Sequence, residues 1–308
     1  MRKPKRVVGR AFAIIGLMIG AFAFAGCSGG GTGSTSPGAS GGSSPSSSRP
    51  SPTPSSGGAT AYVTDDNGNE ITPVNLGSGT AGSPISVPGG PSGITITSDG
   101  KTAYVVEPNS NAVVPVTLAT GTVGSTISFP SVGVNIAVTP DGRTAYVTAA
   151  LGGSITPIDL ATGVVGTPIA VQNSVGGIAI TPDGQTAYVT DVGGTVTPVN
   201  LATGTAGTTI SVSGGPAGVA ITPDGKTAFV ACTASDTVTP IDLATGTVGA
   251  PISVANGVQG GIAITPDGKT VYVTTGGGSI SPINIASGSI GTSISVPIGD
   301  GAGLAIAP

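Results

Sequence analysis

Residues 181–190 read Thr-Pro-Asp-Gly-Gln-Thr-Ala-Tyr-Val-Thr, a tight turn running into small, β-branched and aromatic residues. Proline fixes φ, aspartate caps its own turn and glycine accepts positive φ, so Pro-Asp-Gly turns the chain back on itself. The Thr-Ala-Tyr-Val-Thr that follows suits a pleated strand. The stretch recurs along the chain. Its aromatic falls at Tyr62, Tyr104, Tyr146, Tyr188, Phe229 and Tyr272, at intervals of 42, 42, 42, 41 and 43 residues, and an Asp-Gly turn precedes five of the six, at Asp99, Asp141, Asp183, Asp224 and Asp267. A period of about 20–50 residues marks a chain whose units bury their faces against each other.

Working outward from 181–190, the fourth repeat divides into four strands: Gly177 to Thr181, Thr186 to Thr190, Thr195 to Leu201 and Thr208 to Val212. Gly193-Gly194 makes a hairpin between the second and third, and Thr203-Gly204 ends the third. No stretch has helical spacing. Four strands in about 42 residues is the period of a propeller blade. Faces buried on both sides account for strands of Ala, Val, Ile and Thr without clean alternation. An unclosed stack of hairpins is the other arrangement such repeats allow.

The phase of the repeat favours closure. The first repeat starts one strand late, at the Tyr62 strand, and the last segment, Gly303-Leu304-Ala305-Ile306-Ala307-Pro308, is an inner strand with no successors. Joined, they complete a sixth blade from both termini and remove two open sheet edges. The expected fold is therefore all-β, a six-bladed β-propeller of four-stranded antiparallel blades over residues 60–308, with seven blades as the alternative count.

The recurring Thr-Pro-Asp-Gly-Lys-Thr-Ala-Tyr-Val-Thr, with slight variations, resembles the YVTN-repeat β-propellers of bacterial and archaeal surface proteins. The resemblance covers residues 60–308 and implies a surface-exposed propeller; members often have seven blades, whereas six repeats are counted here. Lactonase and lyase propellers share the fold, which by itself carries no function across.

The N-terminal segment is of another kind. Arg2, Lys3, Lys5, Arg6 and Arg10 precede an apolar run from Ala11 to Ala25, the pattern of an export signal and shorter than the roughly 20 residues a spanning helix needs. Phe24-Ala25-Gly26-Cys27 resembles a lipoprotein lipobox, with Phe24 where Leu is usual. This implies a signal peptide at 1–26 and a diacylglyceryl group on Cys27, anchoring the exported chain to the outer face of a bacterial membrane. Residues 28–59 are almost wholly Gly, Ser, Thr, Pro and Ala and read as a tether with a mean span of about 30 Å.

From residue 60 onward four basic residues face fourteen acidic ones, a formal balance of −10 that disfavours nucleic acid and anionic lipid as partners. The chain has no His, which removes imidazole acid–base chemistry, Ser-His-Asp arrangements and His-ligated metals. Cys232 has only Cys27 for company, so no disulfide forms within the domain. It reads as a buried, inert thiol.

Comparison among repeats separates scaffold from candidate site. The Asp-Gly turns and the Leu-Ala-Thr-Gly turns at 118–121, 160–163, 201–204 and 243–246 repeat almost letter for letter on one face of the disc. The loops of the other face vary, and function belongs there. They carry Asp65, Asp66, Glu70, Glu107, Asn109, Asp191, Asp236 and Asp300, expected to gather at one channel mouth. Asp65, Asp66, Asn69 and Glu70 form the oxygen-rich set that calcium would prefer, although Asn67-Gly68 is also an ordinary hairpin turn. No other cofactor is expected. The expected role is a non-catalytic binding scaffold for a protein or cell-envelope partner. A metal-assisted hydrolase or lactonase using carboxylates such as Asp66 and Asp300, or a solute or cation receptor, are the alternatives.

Overall fold

The structure, a computed structural model, describes residues 58–308 except 151, 172–174 and 300, and at 301–302 the course of the backbone only. The signal segment, Cys27, the tether up to residue 57 and Asp300 lie outside the described residues. Every regular element among the described residues is a strand, and these form six antiparallel sheets. The fourth blade is representative: inner strand Val175–Ile180, second Thr186–Asp191, third Thr195–Asn200, and an outer strand in two pieces, Thr205–Ala206 and Ile210–Ser211. The first blade takes its inner strand, Gly301–Ile306, from the C-terminus; this pairs with Thr60–Asp65, which pairs with Glu70–Asn75. Each inner strand neighbours the next around a ring that closes between the sixth and first blades. The molecule is a six-bladed β-propeller, as the repeat phase predicted.

Six apolar clusters hold the ring, one per seam. Tyr188, Val196 and Val212 of the fourth blade pack on Val219, Val230 and Ile241 of the fifth, and Ala61, Val63 and Leu304 of the first pack on Tyr272 and Ile280 of the sixth. The closing seam therefore resembles the other five. Inner strands approach so closely that five of the six carry a glycine at the point of contact near their starts, the third blade having Asn135 there. A Cβ on Gly218 would lie 1.8 Å from the Gly260 carbonyl oxygen, and one on Gly177 would lie 2.5 Å from that of Ala217.

The outer strand departs from the continuous Thr208–Val212 segment expected from sequence, for a physical reason repeated in all six blades. The middle of each third strand is a proline, at 73, 115, 157, 198, 240 and 282, directly opposite the aromatic of the second strand. Its carbonyl accepts the N–H of a glycine in the outer segment, as from Gly207 to Pro198 at 2.7 Å, so its missing N–H faces the same way. The outer strand finds no donor there and divides around Gly207. A Cβ at that glycine would meet the proline ring at 3.2 Å. The divided edge also denies a neighbouring chain a continuous template.

A second device locks blades together. In the first, third and fourth blades the inner strand bulges near its start, and a threonine of the second strand fills the gap: Thr190 Oγ1 accepts the Gly177 N–H at 2.7 Å and donates to the Ala217 carbonyl of the next blade at 2.6 Å. Thr64 and Thr148 make the same bridges to Ser92 and Gly176. Thr190→Val keeps the shape and leaves the Gly177 N–H buried without an acceptor, so it is expected to cost about 2 kcal/mol in urea unfolding. A cost below about 0.5 kcal/mol, the ordinary surface range, would contradict the bridging role.

Candidate functional site

Successive strands alternate in direction, so the turns alternate between faces. Inner-to-second and third-to-outer turns lie on one face; second-to-third loops and the connections between blades lie on the other. The first face is reiterated chemistry. In each Asp-Gly turn a threonine hydroxyl and a backbone N–H both donate to one aspartate oxygen, as from Thr181 at 2.5 Å and Gln185 at 3.0 Å to Asp183. Both chain ends of the domain are here: Gly58 lies against Gly77, and Pro308 against Gly100. All four cations also follow Asp-Gly turns, at Lys101, Arg143, Lys226 and Lys269. The Lys101–Asp99 and Lys269–Asp267 pairs, at 3.7 and 3.9 Å, are highly exposed and contribute little.

These turns set the acid limit of the fold. Asp99, Asp141, Asp183, Asp224 and Asp267 are held below the usual carboxylate range, first by the threonine hydroxyl and then by the backbone N–H; Asp159 and Asp242 are lowered likewise in the third-to-outer turns. A folded-state pKa below the unfolded value of about 3.9 gives stability that is present above that pH and lost as pH falls through the folded value. Calorimetry should find a melting temperature flat from about pH 8 to 5 and falling below about pH 4. A rise on acidification would contradict this.

The opposite face holds the sequence-predicted residues and uses many of them as braces. The last residue of each second strand is buried: Asp65, Glu107, Ala149, Asp191, Cys232 and Thr275. Asp65 Oδ1 accepts the N–H groups of Asn67 and Gly68 at 3.1 and 2.9 Å, and its Oδ2 accepts that of Gly299 at 3.0 Å, tying the first loop to the connection from the sixth blade. Glu107 accepts from the Ser110 hydroxyl at 2.8 Å, and Asp191 accepts the Gly193 N–H at 2.9 Å. Burial pushes the Cys232 thiol up, as expected of an inert cysteine.

The loops vary in sequence but share one backbone demand. Each closes on a residue of positive φ: Asn69, Asn111, Gly153, Gly194, Asp236 and Gly278. Asn and Asp tolerate this region and reach a nearby backbone with their side chains. Asn69 Oδ1 accepts from Gly89 and Gly90 at 3.2 and 3.0 Å, and Asp236 Oδ1 accepts from Val258 at 3.0 Å. Both brace the connection into the following blade, a role for which the glycines at 89–90 and 257 were an available signal.

None of the described acids lines the cavity at the axis. The central cavity of about 260 Å³ is walled by inner-strand residues such as Ile96, Asn135, Ile180, Gly218 and Ile264, and by none of the carboxylates. It falls below the volume of about 300–1,000 Å³ usual for a small-molecule pocket. Asp66 and Glu70 are half-buried beside Asp65, Asn109 lies exposed against Gly90, and Asp236 is exposed in the fifth blade. Of the proposed calcium set, Asp65 and Asn69 already accept five backbone N–H groups between them. Among the described residues no three His, Cys, Asp or Glu side chains come together as a metal site. What the face does offer is a platform of loops in which every described acid outside the reiterated turns resides without a single Lys or Arg.

No family model and no curated protein matches the chain. Solved structures do. A chain of hydrazine synthase from Kuenenia stuttgartiensis is 27% identical with a TM-score of 0.58, over 66% of this chain; this chain spans 65% of that one's length. A chain of a nidogen/laminin complex superposes with a TM-score of 0.71 at 15% identity, over 82% of this chain and 99% of that one. Virginiamycin B lyase from Staphylococcus aureus gives 0.55 at 17% identity, over 68% and 71%. The last two likenesses are of fold alone.

Proposed function

We propose that this propeller is a non-catalytic binding scaffold of the YVTN-repeat kind, held at the outer face of a bacterial membrane by acylated Cys27, which engages a protein or cell-envelope partner through its variable face. The observation that carries this reading is the division of labour between faces. One repeats the same turns and hydrogen bonds blade after blade and takes up the chain from the tether. The other presents six different loops, stiffened by their own buried or capping side chains. Such a surface is preorganised for a partner, which lowers the ordering cost of binding. The nidogen/laminin likeness is in keeping with a propeller that works in a protein complex.

The test uses the acylated protein on cells. Photocrosslinkers at Asn109 and Ala234 on the variable face should capture a discrete partner, whereas one at Thr120 on the reiterated face should not. Replacing residues 66–68 and 233–235 each with Gly-Gly-Gly, which keeps the bracing Asn69 and Asp236, should abolish capture while leaving the melting temperature within a few degrees. Undiminished capture, or equal capture from both faces, would sink the reading. Cys27→Ser should release the protein into the soluble fraction, and membrane retention of that variant would refute the anchor separately.

A further inference from the structure

We infer that Asn256 is a site of spontaneous deamidation, the one position among the described residues where this fold leaves a succinimide-forming dipeptide unguarded. Asn-Gly and Asp-Gly are the dipeptides in which the backbone nitrogen of the glycine, unhindered by a side chain, reaches the preceding side-chain carbonyl carbon. Seven lie among the described residues: Asn67-Gly68, Asn256-Gly257, and the five Asp-Gly turns at 99, 141, 183, 224 and 267. The fold ties the glycine N–H in six of them. Gly100, Gly142, Gly184, Gly225 and Gly268 each donate to a threonine carbonyl at 2.8 Å, and Gly68 donates to the Asp65 carboxylate at 2.9 Å. Only Gly257 donates to no described group. The neighbouring carboxylate of Asp236 is engaged instead by the next amide, Val258 N–H, at 3.0 Å.

The surroundings of Asn256 permit the reaction. The residue is exposed, sits at φ +69° ahead of Gly257 at φ +77°, and its side-chain amide makes no hydrogen bond to a described group. The Gly257 nitrogen loses its proton to hydroxide and bonds to the Asn256 Cγ; the Cγ–Nδ2 bond breaks and ammonia leaves. Water then opens the five-membered imide at either carbonyl, giving aspartate or isoaspartate. The balance is one water consumed and one ammonia released, with no oxidant or reductant. At Asn67 the same attack must first strip the Gly68 N–H from a carboxylate, and the nitrogen anion would form beside that negative charge.

The product matters where it forms. Asn256 lies in the connection between the fifth and sixth blades, on the face that carries acids and no cation, so conversion adds a further negative charge to the proposed contact surface. Isoaspartate also lengthens the backbone by one methylene at a loop whose Asn256 and Gly257 carbonyls both accept the Gly276 N–H at 2.9 Å. The inference does not depend on what that face binds.

Peptide mapping by mass spectrometry of the folded protein, held for weeks at mildly alkaline pH, reads both asparagines in one sample. Release from a hydrogen bond to a carboxylate is expected to make Asn256 convert at least about tenfold faster than Asn67. The same chain in denaturant should convert the two at similar rates, and Asp65→Ala should raise the rate at Asn67 alone. Equal rates in the folded chain, or a faster Asn67, would overturn the inference. So would a tenfold difference that persists in denaturant, since the cause would then be local sequence and not the fold.

Discussion

Gly218→Ala is expected to lower stability by about 4 kcal/mol or more, a fall of about 10 °C or more in melting temperature. The added Cβ would lie 1.8 Å from the Gly260 carbonyl oxygen and 2.9 Å from Ile262 Cγ2. The first of these is a backbone atom of the next inner strand and cannot rotate away, so the seam must open, placing the change at the severe end of overpacking. Gly142→Ala is the control. Gly142 has φ +71° and nothing within 4 Å of an added Cβ, so only the left-handed backbone penalty of about 1 kcal/mol is expected. Thermal melts that place the two variants together would show that the inner strands are not packed as closely as described.

Removal of residues 301–308 is expected to abolish cooperative folding. The first blade would lose its inner strand, Leu304 would leave the cluster with Ala61, Val63 and Tyr272, and both flanking seams would open. A circular permutant should behave oppositely. The Ala307 N–H donates to the Thr60 carbonyl at 2.9 Å, so a short Gly-Ser linker from Pro308 to Gly58, with new ends cut at Asp183-Gly184, keeps every strand in place. Its melting temperature should stay within a few degrees of the uncut domain. A truncated chain that still melts cooperatively at the unaltered temperature would refute ring closure as the source of stability.

Much of the fold was legible because it rests on local chemistry repeated six times. The Tyr62-to-Tyr272 series set the period, the Asp-Gly turns set the hairpins, and the orphan Gly303–Ile306 strand announced closure. The divided outer strand was equally present, as a proline in each third strand and a glycine nine residues later, but its meaning depends on which side of the strand the missing N–H faces. At the candidate site the sequence shows the hydrogen-bond acceptors and not their donors. Asp65, Asn69 and Asp236 read as free oxygen donors because each takes at least one partner from another loop: Gly299 lies 234 residues from Asp65 in sequence, and Val258 lies 22 from Asp236. Residue type announces a hydrogen-bond acceptor, whereas only the closed ring determines who donates to it.

The first blade's second strand has a mechanical consequence. Thr60–Asp65 is where the chain enters the domain, and it lies between two antiparallel neighbours, Gly301–Ile306 and Glu70–Asn75. Under the anchoring proposed above, tension between the tether and a partner held by the loops on the far face would run along this strand's axis. Its rungs to both neighbours are then loaded in shear and must fail together, where a pull across the sheet would unzip them one at a time. The blade stitched from two distant ends of the chain is thus the one through which such a load would enter, in the direction in which a β-sheet resists it best.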